Sequence, residues 1–400
     1  MDAPMKNLPW GFRFAGVHCG IKQDAAKEDL TLIVSDEPCV AAGVYTTNLI
    51  VAAPVQLDRQ RTPMADARVL VANSGNANAC TGERGARDSR EMAQRAALAC
   101  GAEERQSLVM STGVIGHFLP MAKIAQGIES AVSRLGRDEA AWLSAARGIT
   151  TTDRSPKIAC RSLTLRGREV RVAGMAKGAG MIGPRMATML GIIMTDVRLS
   201  VDNAQRSLQA AVDRSFNCIS VEGHMSTNDT VLLLASGTAQ AEAIDGDDLR
   251  QFQAALDDVC VELAKMIPDD GEGATHLITI DVRGCASREA AYRIAVSVAN
   301  SALVKSGVAG NDPNWGRVVS AAGYAGVPFD PQKLQLKLNG TVVFREGGPA
   351  SFDAKALSQC MRDNRETHLE LEFGEGNDEV RYWTSDLTVD YVKFNSAYTT

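Results

Sequence analysis

Histidines and closely spaced cysteine pairs are scarce in this chain of 400 residues. Its five histidines show no H-x-x-x-H spacing, and none of its nine cysteines forms a C-x-x-C pair. We therefore expect neither a metal site nor a disulfide framework. Reduced, scattered thiols are typical of a cytoplasmic protein.

Positive charge and long apolar runs are also lacking. The net charge of −6 gives no basic footprint for nucleic acid or for an anionic membrane. The apolar runs are short, and no basic segment followed by an apolar one opens the chain, so we expect no transmembrane helix and no signal peptide. A composition with 45% hydrophobic and 22% charged residues fits two or three globular domains or one large sandwich.

The most informative stretch runs from Lys177 to Met194. A glycine-rich loop over 178–183 precedes an apolar run over 186–194, whose length predicts a buried strand. Thr188 stands at the junction, directly after Ala187. A hydroxyl at the mouth of a buried strand, beside a flexible loop and a lysine, is a candidate nucleophile.

Two other interpretations apply to the same stretch. Gly178, Gly180 and Gly183 match G-x-G-x-x-G, which indicates dinucleotide binding only between a strand and a helix. Pro184 and a strand-like run follow here, which argues against it. The simplest alternative is a glycine turn that leads into a core strand and leaves Thr188 merely exposed.

Three further loops carry polar residues close to predicted strands. The loop at 73–79 is rich in asparagine and is either a site wall or a solvated turn. The segment 111–116, S-T-G-V-I-G, can direct backbone N–H groups into a cleft, as an oxyanion hole requires. The acidic loop 269–275 either binds a cationic group or is solvated. Farther on, the patterns predict a helix over 287–306 and a strand over 378–393.

Ten ordered motifs along nearly the whole chain resemble the ornithine acetyltransferase family, the ArgJ proteins of arginine biosynthesis. They are G-F-R-F-A-G-V-H-C-G-I-K (11–22), A-A-G-V-Y-T-T-N (41–48), N-S-G-N-A-N-A-C-T-G (73–82), S-T-G-V-I-G (111–116), T-T-D (151–153), K-G-A-G-M-I (177–182), M-A-T-M-L (186–190), S-T-N-D-T (226–230), D-G-E-G-A-T (270–275) and D-P-N-W-G-R (312–317).

The resemblance implies a precursor that cuts itself between Ala187 and Thr188. The freed α-amine, with an ordinary pKa of about 7.7–8.0, then takes the proton of the threonine hydroxyl. The family's oxyanion hole falls on Thr112 and Gly113. Its substrate contacts fall on Thr151, Lys177, Thr188, Glu272, Asn395 and Thr400. We expect Lys177 to hold a substrate carboxylate, and Glu272 to meet an amino group or another polar end of the substrate.

The implied reaction is ping-pong: N2-acetyl-L-ornithine acetylates Thr188, ornithine leaves, and L-glutamate takes the acetyl group. No cofactor is implied, although some members also accept acetyl-CoA as a donor. The implied fold is an α/β, DmpA/ArgJ-like α-β-β-α sandwich built from two self-cleaved chains. Its parts are an α chain over 1–187, the nucleophile-bearing half of the sandwich over 188–280, and a smaller C-terminal α/β domain over 281–400. The two chains are expected to pair as α2β2 in the cytoplasm.

The sequence departs from the family pattern at three places. Glu222-Gly223-His224-Met225 stands where D-G-D-T is expected, Arg185 where asparagine is, and His276 where lysine is common. The first change leaves the donor or acceptor preference open, and Arg185 bears on the cleavage rate. Two rival functions remain: an N-terminal-nucleophile amidase or aminopeptidase of the same fold, and a non-catalytic binding or scaffold protein.

Overall fold

The computed structural model describes residues 8–183 and 189–397. The strands in these ranges are β1 (Phe12–Val17), β2 (Leu30–Tyr45), β3 (Met64–Asn76), β4 (Ser107–Val114), β5 (Lys157–Leu165), β6 (Arg168–Lys177), β7 (Leu190–Thr195), β8 (Ile219–Ser220), β9 (Thr230–Ala235), β10 (Leu277–Cys285), β11 (Gln335–Leu338), β12 (Thr341–Arg345), β13 (Gly348–Pro349), β14 (Glu366–Glu372) and β15 (Asp378–Ser385). The α-helices are α1 (Ala53–Arg61), α2 (Gly82–Ala99), α3 (Met121–Ser133), α4 (Glu139–Gly148), α5 (Val201–Arg214), α6 (Gly246–Asp269), α7 (Arg288–Ala299), α8 (Ala302–Ala309), α9 (Trp315–Gly323), α10 (Ala354–Asp363) and α11 (Val389–Ala397).

One long strand, β2, belongs to both halves of the first sheet, which folds over on itself. Its first half pairs with β1 and β3, and its second half, from Val40 to Tyr45, pairs with β9. The pairing with β3 shifts between Val34 and Cys39, around the exposed residues Glu37 and Pro38. The full strand order is β4-β3-β2-β9-β7-β6-β5, with β1 on β2.

The two halves of this sheet pack face to face. Their shared core joins side chains of β1 to β4 with side chains of β6, β7 and β9, and Trp142 of α4 belongs to it. The core residues that fill it include Phe14, Leu70, Met175 and Ile192. Alternation along each strand sends every second side chain into this core.

Helices cover both outer faces. On one side, α2 and α3 contribute Met92 and Ile128 to a core with β1 to β4. On the other side, α5 and α6 pack on β2, β5, β6 and β9. The buried residues of α6 recur every three or four positions, as an amphipathic helix requires. The layers are therefore α-β-β-α, as the family resemblance implies.

A second sheet has the order β13-β12-β11-β14-β10-β15-β8. Within it, β10 runs parallel to β14 and antiparallel to β15, and α7 packs on β10 and β15. Most of these strands follow Leu277, but β8 comes from the segment before α6. The domain bounds given above, at 187 and 280, stay predictions.

Two predicted elements are wrong. The helix over 287–306 is interrupted: α7 ends at Ala299, and Ser301 caps α8 by accepting a hydrogen bond from the Val304 amide. The strand over 378–393 ends at Ser385, and the rest forms α11. Along the described ranges, no helix is long and apolar enough to cross a bilayer.

Candidate active site

A cavity of about 270 Å³ lies where β4 and β6 end and the loops before β9 and β10 meet them. Its lining consists of Ala77, Thr112, Gly113, Ile115, Thr151, Thr152, Lys177, Gly180, Met181, Ser226, Thr227, Asn228, Glu272 and Asn395. Six of the predicted site residues meet here: Thr112, Gly113, Thr151, Lys177, Glu272 and Asn395. Ala187, Thr188 and Thr400 fall outside the described residues, so their positions stay predictions.

Gly113 can only be glycine at its position. Its φ is +133°, and an added Cβ would lie 2.3 Å from the carbonyl carbon of Gly75 on β3. Thr112, beside it, is buried, and β4 pairs with β3 up to this point. The strand pair therefore fixes the backbone of the predicted oxyanion hole.

Lys177 is the last residue of β6 and is only 2% exposed. Its Nζ donates a hydrogen bond to Thr112 Oγ1 at 3.3 Å. Burial lowers the pKa of Lys177, and the nearby Asp153 carboxylate acts in the opposite direction. The lysine thus brings a buried cationic group beside the predicted oxyanion hole.

Glu272 lies at the mouth of the cavity between two donors. Thr152 Oγ1 donates to its Oε1 at 2.7 Å, and Asn395 Nδ2 donates to its Oε2 at 3.1 Å. Gly180 packs against this carboxylate so closely that a Cβ would lie 2.5 Å from it. The glycine loop can approach Glu272 because it has no side chain there.

Two buried carboxyl groups flank the undescribed segment 184–188. On one side, Glu222 accepts a hydrogen bond from the Ile182 amide at 2.7 Å. On the other, Asp229 accepts one from the Met189 amide at 3.1 Å. Burial raises the pKa of each carboxyl group to about 8. The residues on both sides of the predicted cleavage segment therefore donate backbone amides to carboxyl groups whose pKa is raised by burial.

The structure answers the open questions about the polar loops. The glycine loop 178–183 leads from β6 into the antiparallel β7, so the dinucleotide-binding interpretation, which needs a helix and a parallel strand, is wrong. In the loop 73–79, Asn73 and Asn78 are buried and bond backbone carbonyls, while Ala77 lines the cavity. Residues 73–76 belong to β3, so the segment is a buried strand end that contributes Ala77 to the site wall, and the solvated-turn alternative is wrong.

Sequence reasoning did not assign Ser226, Thr227 and Asn228 to the site. Asn228 Nδ2 donates to the carbonyl oxygens of Ala77 and Ser111 at 2.6 and 2.9 Å. This side chain ties the loop before β9 to the ends of β3 and β4. The signal in the sequence was the dense polar corner S-T-N-D-T, which marks a turn but not its partners.

The departures from the family pattern have distinct surroundings. Gly183 packs on the backbone of Gly223, where a Cβ would be 2.7 Å from the carbonyl carbon. The Met225 sulfur accepts a hydrogen bond from Thr47 Oγ1 at 3.6 Å, and Met225 itself does not line the cavity. His276 pairs with Asp386 at 3.2 Å, which raises the pKa of the imidazole. Arg185 falls outside the described residues.

Within the described ranges, no group of three or more histidine, cysteine, aspartate or glutamate side chains could hold a metal ion. The polar groups of the cavity are hydroxyls, amides, one lysine and one carboxylate. This set can bind and orient a small polar substrate.

The layers and the cavity describe an α-β-β-α sandwich with a small polar site. The model of the ArgJ family matches residues 13–400, and the chain belongs to this family. It is 48% identical over 396 residues to the arginine biosynthesis bifunctional protein ArgJ of Rhodopirellula baltica, covering 98% of this chain and 96% of that one. It is 46% identical over 395 residues to the protein of the same name from Symbiobacterium thermophilum, covering 98% of each.

A crystal structure of the arginine biosynthesis bifunctional protein argJ from Bacillus halodurans is also similar. The TM-score is 0.51 with 33% sequence identity, and the match covers 52% of this chain and 98% of that one.

Proposed function

We propose that this chain is a glutamate N-acetyltransferase of arginine biosynthesis, which moves an acetyl group from N2-acetyl-L-ornithine to L-glutamate. Membership of the ArgJ family and the names of the relatives support this function. The observation that carries it is the cavity in which Thr112, Gly113, Lys177 and Glu272 converge. The rival amidase and scaffold functions have no comparable support.

The proposed nucleophile is Thr188, released by self-cleavage. Its Oγ attacks the Ala187 carbonyl carbon, and the peptide C–N bond breaks as an ester forms. Water then hydrolyses the ester, leaving the Ala187 carboxylate and a free α-amine on Thr188. This amine takes the proton from the threonine hydroxyl when Thr188 later attacks a substrate.

Acetyl transfer then proceeds in two half-reactions. Thr188 Oγ attacks the acetyl carbonyl of N-acetylornithine, the amide C–N bond breaks, and ornithine leaves with a proton. The α-amine of glutamate attacks the acetyl-threonine ester and restores the hydroxyl. Thr112 and Gly113 stabilise the oxyanion of both steps, a contribution typically of about 100- to 1000-fold per donor.

The two charged side chains of the cavity bind oppositely charged groups of the substrate. Lys177 offers its ammonium group to a substrate carboxylate or to the developing oxyanion, since it already bonds Thr112. Glu272 receives the side-chain ammonium group of ornithine, with Asn395 and Thr152 holding its carboxylate oxygens. Thr151 and Thr400 complete the proposed substrate contacts.

Beyond the site, we expect an α chain over 1–187 and a β chain over 188–400 that pair as α2β2. The enzyme needs no cofactor, and acetyl-CoA is its proposed alternative donor. Its partners are small polar substrates and its own chains, without nucleic acid or membrane, in the cytoplasm.

Intact mass under denaturing conditions tests the nucleophile first. The wild type should give two fragments, divided between Ala187 and Thr188, and Thr188→Ala should remain one chain. An uncut wild type would remove the free amine on which the mechanism depends.

Acetyl transfer is then measured with N-acetylornithine, with and without glutamate. N-acetylglutamate should form only when glutamate is present. Acetate released at the same rate in both cases would instead identify a hydrolase.

A further inference from the structure

A buried ion network lies beside the cavity on residues that do not line it. Lys157, the first residue of β5, has a side chain that is 2% exposed. Its Nζ donates to Asp153 Oδ1 at 2.7 Å and to Asp270 Oδ2 at 2.7 Å. The two carboxylate side chains are 0% and 12% exposed. The lysine therefore joins two segments that are more than one hundred residues apart.

Asp153 sets the positions of two neighbouring backbone segments. Its Oδ1 also accepts a hydrogen bond from the Gly178 amide at 2.7 Å, and its Oδ2 accepts one from the Thr151 amide at 2.9 Å. Thr151 lines the cavity, and Gly178 directly follows Lys177. Any movement of this carboxylate is transmitted to both.

Asp270 holds the loop that carries Glu272. It lies two residues before Glu272, and its Oδ2 accepts a hydrogen bond from the Arg154 amide at 3.0 Å. The Glu272 amide in turn donates to the Ala179 carbonyl at 2.9 Å. The loop that carries Glu272 is thus tied both to the 151–154 turn and to the glycine loop.

We propose that Lys157 is a positioning residue for acetyl transfer: its ammonium group, held between Asp153 and Asp270, fixes the spacing of Thr151, Lys177 and Glu272 in the cavity. This inference rests on the function proposed above. A buried ion network often contributes less to stability than apolar residues of the same volume would. This network instead holds three segments that line the cavity, which is a role in positioning the site rather than in stabilising the fold.

Lys157 also acts on the charge of Lys177. Asp153, Asp229 and Glu272 act to raise the pKa of Lys177, whereas Lys157 acts to lower it. Removing a like charge favours the protonated lysine, so the pKa of Lys177 rises when Lys157 is lost. The alkaline limb that Lys177 sets should then move to higher pH in Lys157→Met but not in Lys157→Arg, which keeps the positive charge.

The test compares Lys157→Met and Lys157→Arg with a control elsewhere. Asp281→Asn removes another buried carboxylate, which binds the more exposed side chains of Arg381 and His368 on the second sheet. We expect Lys157→Met to lower kcat/KM for N-acetylornithine by about 100-fold, the cost typical of a misplacement near 1 Å. Lys157→Arg should recover at least tenfold of that loss, and Asp281→Asn should stay within about threefold of the wild type while melting earlier.

The inference is overturned if folded Lys157→Met keeps kcat/KM within about threefold of the wild type, or if it loses no more than Asp281→Asn. If Lys157→Met does not fold, Asp270→Asn decides: a KM raised about tenfold supports the inference, and an unchanged KM overturns it. An inactive wild type would instead refute the proposed function itself, so the two failures can be told apart.

Discussion

The floor and the rim of the cavity are built differently. The floor is defined here as Thr112, Gly113 and Lys177, together with Asp229, which directly follows the lining residue Asn228. These residues lie at the ends of paired strands or just before one; Thr112, Lys177 and Asp229 are buried, whereas Gly113 is exposed. The rim, defined as Glu272 and Asn395, stands on a loop and on α11, a helix with no buried residue. Strand pairs hold groups at fixed distances, whereas a helix that buries nothing is held by few contacts.

The anchoring of α11 illustrates this difference. Thr388 Oγ1 donates to the Gly273 carbonyl at 2.7 Å and accepts from the Tyr391 amide at 3.2 Å. At the other end, Asn395 reaches Glu272. We infer that the floor determines the chemical step and the rim determines how tightly substrate is held.

The sharpest way to test the floor is Gly113→Ala. The new Cβ would collide with Gly75 at a φ that disfavours alanine, so the Thr112–Gly113 backbone must shift. We expect kcat to fall by at least about 100-fold, the usual cost of losing one oxyanion donor. Steady-state kinetics on the processed enzyme measures it.

Gly116→Ala is the matched control for this variant. Gly116 follows in the same segment at φ +83°, but an added Cβ meets nothing within 4 Å. Both substitutions impose alanine on a left-handed backbone, yet only the first displaces the floor. Equal losses of kcat in the two variants would contradict the assignment of the oxyanion hole.

Asp229→Asn should show that the floor carries a buried titratable group. The pKa of Asp229 is raised to about 8 by burial, so between its unfolded value and pH 8 the folded state binds the extra proton. Stability from this group is therefore present at low pH and lost as pH rises, by at most about 1.4 kcal/mol per pH unit. Asparagine mimics the protonated form and removes that slope.

Urea unfolding at pH 5, 6.5 and 8 measures the effect. The difference in unfolding free energy between Asp229→Asn and the wild type should move in favour of the variant as pH rises. Glu222→Gln, the carboxyl group at the other end of segment 184–188, should behave in the same direction. A difference that does not change with pH would mean that Asp229 is ionised in the folded protein.

The sequence predicted members of both parts, namely Thr112, Gly113 and Lys177 of the floor and Glu272 and Asn395 of the rim, but it did not predict Asp229. Thr112, Gly113 and Lys177 stand in contiguous motifs, where glycines next to a strand end already indicate the local backbone. Lys157 and Asp270 gave no such signal because their contact joins distant segments. In the acidic loop, the solvated interpretation was wrong for Asp270 and Glu272, since a charge pattern does not show which side chains are covered.

The secondary structure of the rim helix was harder to predict, for a related reason. The segment 389–394 reads V-D-Y-V-K-F, a short run rich in β-branched and aromatic residues that was predicted as part of a strand, yet it forms α11. Short apolar runs suit either structure, and the choice depends on where the preceding strand loses its partners. The break between α7 and α8 likewise depends on a cap at Ser301 within a pattern that is helical on both sides.

The smallest expected effect tests the rim. Asn395→Ala removes one hydrogen bond to Glu272 on an exposed helix, a loss of about 1 kcal/mol or roughly fivefold in substrate affinity. KM for N-acetylornithine should rise by about that factor, with kcat within twofold of the wild type, because the floor is untouched. Lys393→Ala, on the same helix and with its ammonium group paired with Asp390, is the control and should leave both constants unchanged. A fall in kcat as large as that of Gly113→Ala would show that the rim takes part in the chemical step, and the division drawn between floor and rim would then fail.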